Sequence, residues 1–418
     1  MIFNPQMEFI INLTFKCNLR CKMCNQYGDG YKDNALDEMT YENWETFFYS
    51  ISDVEPKPKI ILMGGEPFLN KDFKRIFELV QRLGLETHII TNGLLLDKFL
   101  DILAPTKTCI TISLDGLGSV HDKIRGLNGL FDKVIENIQK VEELQKNGSP
   151  VMLRINSVLL PENIDTLYNF IDYIQKFNIN NFTIQHLQFS NPKLVQKTQE
   201  EFLNRTEQKF GEGFISASAK DITPKYIEQL KTALNKIKKN WNISGFIFPA
   251  LNDEEISKYY SEYDLENIRP ARICLNPWMT PTINPNGDVF NCVAERIGNL
   301  KEENFWNIWN NEKANVFRQS LVEHGKFDFC TKCCNFYKGN FIASPDAKLE
   351  LKDGRIIALP DIINFITSST DGVFILDKKR EFINNEIPVI PIAIHSKIMY
   401  NEINEKETII ATFSDIKR

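Results

Sequence analysis

The 418-residue chain has no long hydrophobic run: candidates such as Lys59–Met63 fall far short of the roughly 18 apolar residues that a membrane span needs. It also lacks the basic segment and smooth apolar stretch of a signal peptide, because Asn4, Gln6, Glu8, Asn12 and Thr14 interrupt the N-terminus. Basic charge is scarce too: 49 Lys and Arg stand against 55 Asp and Glu, a formal charge of −6, so no global positive face exists for a nucleic-acid backbone. There is no internal repeat and no low-complexity tract. These absences argue against a membrane-spanning helix and make a nucleic-acid binder a poor expectation, and we expect a cytoplasmic protein. What remains is an ordinary globular composition, 43% hydrophobic and 25% charged, in a chain long enough for two or three domains.

The nine cysteines are clustered, as for metal binding in a reducing compartment rather than for a disulfide framework. Cys17, Cys21 and Cys24 form one group, and Cys274, Cys292, Cys330, Cys333 and Cys334 another. Cys109, inside an apolar run, reads as a plain buried residue.

From residue 8 to about 187, β-branched runs alternate with helical patterns. Strands are expected at Phe9–Thr14, Lys59–Met63, Glu86–Thr91, Thr108–Leu114, Val151–Leu159 and Asn181–Leu187. Helical patterns lie near 40–52, 71–83, 94–103, 130–146 and 163–177. The alternation implies an α/β fold with a parallel sheet, and six units are too few for a closed eight-fold barrel, so a partial (β/α)6 barrel is expected over residues 1–190. A helical connecting segment (191–270) should follow, then a small α+β module (271–340) with a hairpin over Thr282–Phe290 and an aromatic-rich helix near 303–322. A short β-rich C-terminal appendage (345–418) of unreadable role completes the chain.

The trio follows the first strand, at the carboxyl edge where such sheets place their chemistry. Its C-x3-C-x2-C spacing lets one loop hold three corners of a 4Fe–4S cube and leaves the fourth iron open. A zinc site completed from elsewhere, or a metal-free loop, is the alternative reading of the three cysteines alone.

In this motif and its position the sequence resembles the radical S-adenosylmethionine (radical SAM) enzymes. The resemblance implies that S-adenosylmethionine fills the open iron site and is reductively cleaved to a 5′-deoxyadenosyl radical, which abstracts a substrate hydrogen. Met23, where the family commonly has an aromatic residue, can still pack on adenine. Gly64, Gly65, Glu66 and Pro67 match the segment that meets the cofactor's amino group, bare glycines allowing close backbone approach. Thr91-Asn92-Gly93 and the stretch ending at Gly116 recur in the family, with Asn92 and Ser113 on the cofactor. Arg125, in His121-Asp-Lys-Ile-Arg-Gly126, fits a carboxylate clamp. Arg154, Asn156, Gln185 and His186 lie on strands whose direction alternation leaves open, and His186 reads as structural.

The second group, written C-x12-G-x4-C followed by C-x2-C, resembles the SPASM or twitch auxiliary-cluster domains of the same family. Composition alone leaves zinc and iron–sulfur open; the resemblance implies a second 4Fe–4S cluster held by Cys274, Cys292, Cys330 and Cys333, with Cys334 able to replace Cys333. The leading expectation is an oxidoreductase acting on a small polar substrate, such as a sugar or aminocyclitol, with the auxiliary cluster in electron transfer and a low-potential donor such as flavodoxin or ferredoxin. The competing expectation is a peptide-modifying maturase forming a thioether or carbon–carbon link or oxidising a side chain; a non-catalytic iron–sulfur sensor is a third. No catalytic base can be chosen from the sequence.

Overall fold

The computed structural model describes residues 6–24, 37–54, 56–190, 192–208, 217–218, 222–238, 244–261, 273–274, 276–292, 295–333, 341–342, 348–350 and 356–358. All six expected strands are present: β1 (Glu8–Thr14), β2 (Lys59–Gly64), β3 (Glu86–Thr91), β4 (Cys109–Ser113), β5 (Met152–Val158) and β6 (Asn181–Gln185). Each pairs in parallel with the next. Between them run α1 (Tyr41–Ile51), α2 (Phe73–Arg82), the short α3 (Leu100–Leu103), α4 (Ser119–Arg125), α5 (Leu130–Lys146) and α6 (Leu167–Ile174).

Strand alternation sorts side chains into two faces. On β1, Phe9, Ile11 and Leu13 are fully buried, as are Leu153 and Ile155 on β5 and Phe182 and Ile184 on β6. They join α1, α2, α5 and α6 residues such as Trp44, Phe77, Val134 and Phe170 in one core. Each such side chain contributes roughly 1.5–3 kcal/mol when removed from water. The other face of β5 and β6 carries Arg154, Asn156, Thr183 and Gln185, all half-buried. Capping fixes where α1 starts: Thr40 and Asn43 exchange side-chain to backbone hydrogen bonds across its first turn.

The sheet does not stop at six strands. After β7 (Phe189–Ser190), α7 (Pro192–Thr206), β8 (Ala217–Ser218), which pairs with β7, and α8 (Pro224–Lys238), β9 (Gly245–Phe248) adds in parallel to β6, so the connecting segment is not purely helical. Then come α9 (Asp253–Ser261), β10 (Ile273–Cys274) and α10 (Asn276–Met279). At the opposite edge β11 (Thr282–Ile283) pairs in parallel with β1, and β12 (Asp288–Cys292) and β13 (Glu295–Asn299) continue as antiparallel strands. The cysteine-bearing module thereby shares one ten-stranded sheet, in the order β13-β12-β11-β1-β2-β3-β4-β5-β6-β9. The hairpin stands where expected, with Gly287 at φ +91° in the turn.

The expected helix at 303–322 is two helices, α11 (Phe305–Trp309) and α12 (Glu312–His324). Asn311 breaks it: its side chain accepts from Ala314 N–H at 3.0 Å and caps α12. The module is fastened to α1 by Trp306, whose indole donates to Ser50 O at 2.9 Å, and to β1 by Phe305, whose ring lies 5.1 Å from that of Phe9. β14 (Phe341–Ile342) pairs with β10, and β15 (Lys348–Glu350) with β16 (Ile356–Ala358). Most of the expected appendage, and Cys334, lie outside the described residues.

Candidate iron–sulfur and S-adenosylmethionine site

The loop after β1 carries the trio, and neighbouring strand ends hold it. Gly65 N–H donates to Thr14 O at 2.8 Å and Glu66 N–H to Lys16 O at 2.9 Å. A Cβ at Gly65 would lie 2.2 Å from Lys16 O, so the bare glycine admits the backbone leading into Cys17. On the far side, Arg20 N–H donates to Arg125 O and Lys22 N–H to Ile124 O, at 3.3 and 3.0 Å. Asn92 reaches in from the end of β3, its side chain donating to Asn18 at 2.8 Å.

Cys17 and Cys21 both respond to the charges around them. Cys17 is raised to about 11, chiefly by burial, opposed by the Leu19 N–H and helped by the charges of Cys21, Glu66 and Cys24. Cys21 is raised by burial, opposed by Arg125, and raised again by Cys24 and Asp115. Mutual repulsion of this kind is what a polycationic iron core relieves when thiols bind it as thiolates. Among the described residues no three His, Cys, Asp or Glu side chains converge enough to hold a single metal ion; the donors of a cube stand further apart.

Glu66 is fully buried, accepting from Thr91 Oγ1 at 2.8 Å, Asn92 N–H at 2.9 Å and Phe68 N–H at 3.3 Å. Burial lifts its carboxyl to about 7. Its side chain thus joins the ends of β2 and β3, while Gly64, Gly65 and Pro67 line the same turn. Met23 packs half-buried against the core. Ser113 ends β4 opposite Asn156, both half-buried on one face of the sheet. Arg125 is buried, its Nε donating to Asp115 Oδ2 at 2.6 Å and its Nη1 facing Cys21 Sγ at 3.8 Å. Burial disfavours the guanidinium's charge, but Asp115 and Cys21 more than offset this and hold it protonated.

Asp115 went unassigned in the sequence. It bonds Arg125, accepts from Val158 N–H at 2.9 Å, and its carbonyl accepts from Asn163 at 2.7 Å. The signal was an acid ten residues before Arg125. His186 is fully buried, with Nδ1 2.9 Å from Tyr260 Oη.

In the second module, Cys274 and Cys292 are half-buried and Cys330 and Cys333 buried. Burial pushes Cys274 up to about 12, with Cys292 adding to it. Cys330 is raised by burial and then by the charges of Cys292, Cys333 and Cys274, the other three thiols of the expected set.

The family model of the Radical SAM superfamily matches residues 11–174, and that of the SPASM iron–sulfur cluster-binding domain matches residues 274–334. The chain is therefore a radical SAM protein with a C-terminal SPASM-type domain, and its cofactors are 4Fe–4S clusters and S-adenosylmethionine. It is similar to Fe-coproporphyrin III synthase of Methanosarcina barkeri, 25% identical over 181 residues covering 43% of each chain. It is also similar to PqqA peptide cyclase of Xanthomonas euvesicatoria pv. vesicatoria, 24% identical over 331 residues, 75% of this chain and 76% of that protein. Among solved structures, SuiB of Streptococcus suis shares the fold at TM-score 0.53 and 16% identity, over 79% of this chain and 72% of that one. The match spans less than half the length of the M. barkeri synthase. No helix among the described residues is long and apolar enough to cross a membrane.

Proposed function

We propose that the chain is a cytoplasmic radical SAM oxidoreductase that takes a hydrogen from a small polar substrate, with an auxiliary 4Fe–4S cluster receiving an electron and a flavodoxin- or ferredoxin-type protein as donor. When bound at Cys17, Cys21 and Cys24, the cluster with S-adenosylmethionine supplies the 5′-deoxyadenosyl radical. The observation that carries the reading is the pairing of β11 with β1, which joins the strand bearing Cys292 to the sheet whose β1 leads into the trio. Thr282 stands level with Ile10 and with Phe290, so Cys292 falls near the level of Glu8. The trio follows Thr14, six residues along, a separation on the order of 20 Å at about 3.3 Å per residue. The half-buried face with Arg154, Asn156, Thr183 and Gln185 offers donors and acceptors to a hydroxylated molecule. Gly64–Pro67, Asn92, Ser113 and Met23 form the cofactor's surroundings in this reading, with Glu66 acting through the turn it holds.

A second reading, a peptide-modifying maturase, is favoured by the extent of the match to PqqA peptide cyclase. Anaerobic reconstitution followed by reduction with S-adenosylmethionine tests both. The reading expects about eight irons per chain for two cubes and release of 5′-deoxyadenosine. Release stimulated by polyols or aminocyclitols supports the small-molecule reading, and release stimulated by peptides overturns it. Intact S-adenosylmethionine on fully loaded protein overturns both. Iron retained in Cys334→Ala but halved in Cys333→Ala supports the ligand set; the reverse exchanges the two cysteines.

A further inference from the structure

Arg318 is a buried cation with no acid beside it among the described residues. It projects from α12, 6% exposed, and its Nε donates to Pro277 O at 2.9 Å and its Nη1 to Asn315 Oδ1 at 3.1 Å. The guanidinium carbon lies 4.7 Å from the centre of the Trp309 ring. Nη2 is buried and has no partner among the described residues, and no carboxylate among them pairs with the side chain. Burial alone acts on its titration, drawing it down to about 10. Arg125, equally buried, has Asp115.

An unpaired buried charge is expensive, and removing a buried ion's partner ordinarily destabilises a protein strongly. The surroundings supply a counter-charge once the cofactor is considered. Pro277 lies three residues after Cys274, and α12 packs against both α10 and β10, the strand that ends in Cys274. Cys274 is one of the four thiols expected to hold the auxiliary cluster, and Cys330 and Cys333 of that set are buried. A 4Fe–4S cube held by four thiolates is a dianion when oxidised and gains a further negative charge on reduction.

We propose that Arg318 is the counter-charge of the auxiliary cluster, with Nη2 as the donor available to its sulfur shell. This rests on the ligand reading given above. Arg318 is a positioning residue: it acts on the potential of the cluster, since net charge and hydrogen bonds to sulfur set iron–sulfur potentials. A cation favours the more negative, reduced form, so Arg318 holds the potential up.

The test uses the full chain carrying Cys17→Ala, Cys21→Ala and Cys24→Ala, leaving one cluster to observe. With Arg318 intact, about four irons per chain are expected; none would overturn the ligand assignment, and the inference with it. In a redox titration followed by electron paramagnetic resonance, Arg318→Gln moves the midpoint to more negative potential, whereas Arg318→Lys stays near the parent. Thermal unfolding adds a readout of opposite sign in the two forms: Arg318→Gln lowers the midpoint of the cluster-loaded chain but leaves or raises that of the iron-free chain. An unchanged potential with iron retained, or an equal loss of stability in both forms, overturns the inference.

Discussion

Asp115 and Arg125 form a buried ion pair at 2.6 Å, and the guanidinium of that pair is 3.8 Å from the sulfur of Cys21. The carbonyls of Ile124 and Arg125 accept from the backbone of Lys22 and Arg20, so the pair fixes the end of α4 against the cysteine loop from two directions. The guanidinium that the family pattern suggests as a carboxylate clamp is thus already engaged by a carboxylate of its own chain.

Breaking that pair leaves a buried charge alone. Asp115→Asn is expected to cost about 3–5 kcal/mol in chemical denaturation and to reduce iron held by the N-terminal loop. The double variant Asp115→Asn/Arg125→Met should lose less stability than the sum of the single changes, because it removes both charges. Strict additivity in the cycle would show that the two side chains do not act as a pair.

Gly65 tests the close approach of β2 to the loop. A Cβ there meets Lys16 O at 2.2 Å and Phe15 O at 2.6 Å, both backbone atoms that cannot swing aside. Gly65→Ala should therefore lose at least ~3 kcal/mol, or fail to fold, while Gly84→Ala, at φ +70° with nothing within 4 Å, should lose only about 1 kcal/mol. Equal costs in thermal melts would contradict the packing.

His186 predicts acid sensitivity. Burial lowers its imidazole to about 3, from 6.5, with Lys238 adding to the effect. The unfolded chain therefore binds a proton that the folded chain refuses between those values. Folding stability falls as pH drops below about 6.5, by roughly 1.4 kcal/mol per unit for this group, and levels off near 3. Glu66 works in the opposite sense: its raised carboxyl keeps a proton in the folded state, so its contribution weakens as pH rises from 4.5 to about 7. Comparing parent with His186→Gln isolates the histidine: the difference in denaturation free energy should shrink towards acid. A pH-independent difference would rule this out.

Much of the barrel was readable because its causes are local. Short apolar runs with β-branched residues located β1 to β6, and the cysteine spacing within one loop defined the first cluster site without any long-range information. The hairpin at Gly287 and the helix at 130–146 were legible for the same reason. Helix boundaries set by side-chain caps were less so: the Asn310–Asn311 break is hidden in a run whose aromatics look continuous.

The sequence by itself determined the chemistry it can host, since thiolate number and spacing along a loop are properties of the chain. Only the tertiary structure decided where that chemistry sits. The pairing of Ile10 with Thr282, the addition of β9 beyond β6, the burial of Glu66 and the burial of Arg318 all depend on residues far apart in sequence. Their meeting is chosen by the packing of the whole sheet, which no local pattern encodes.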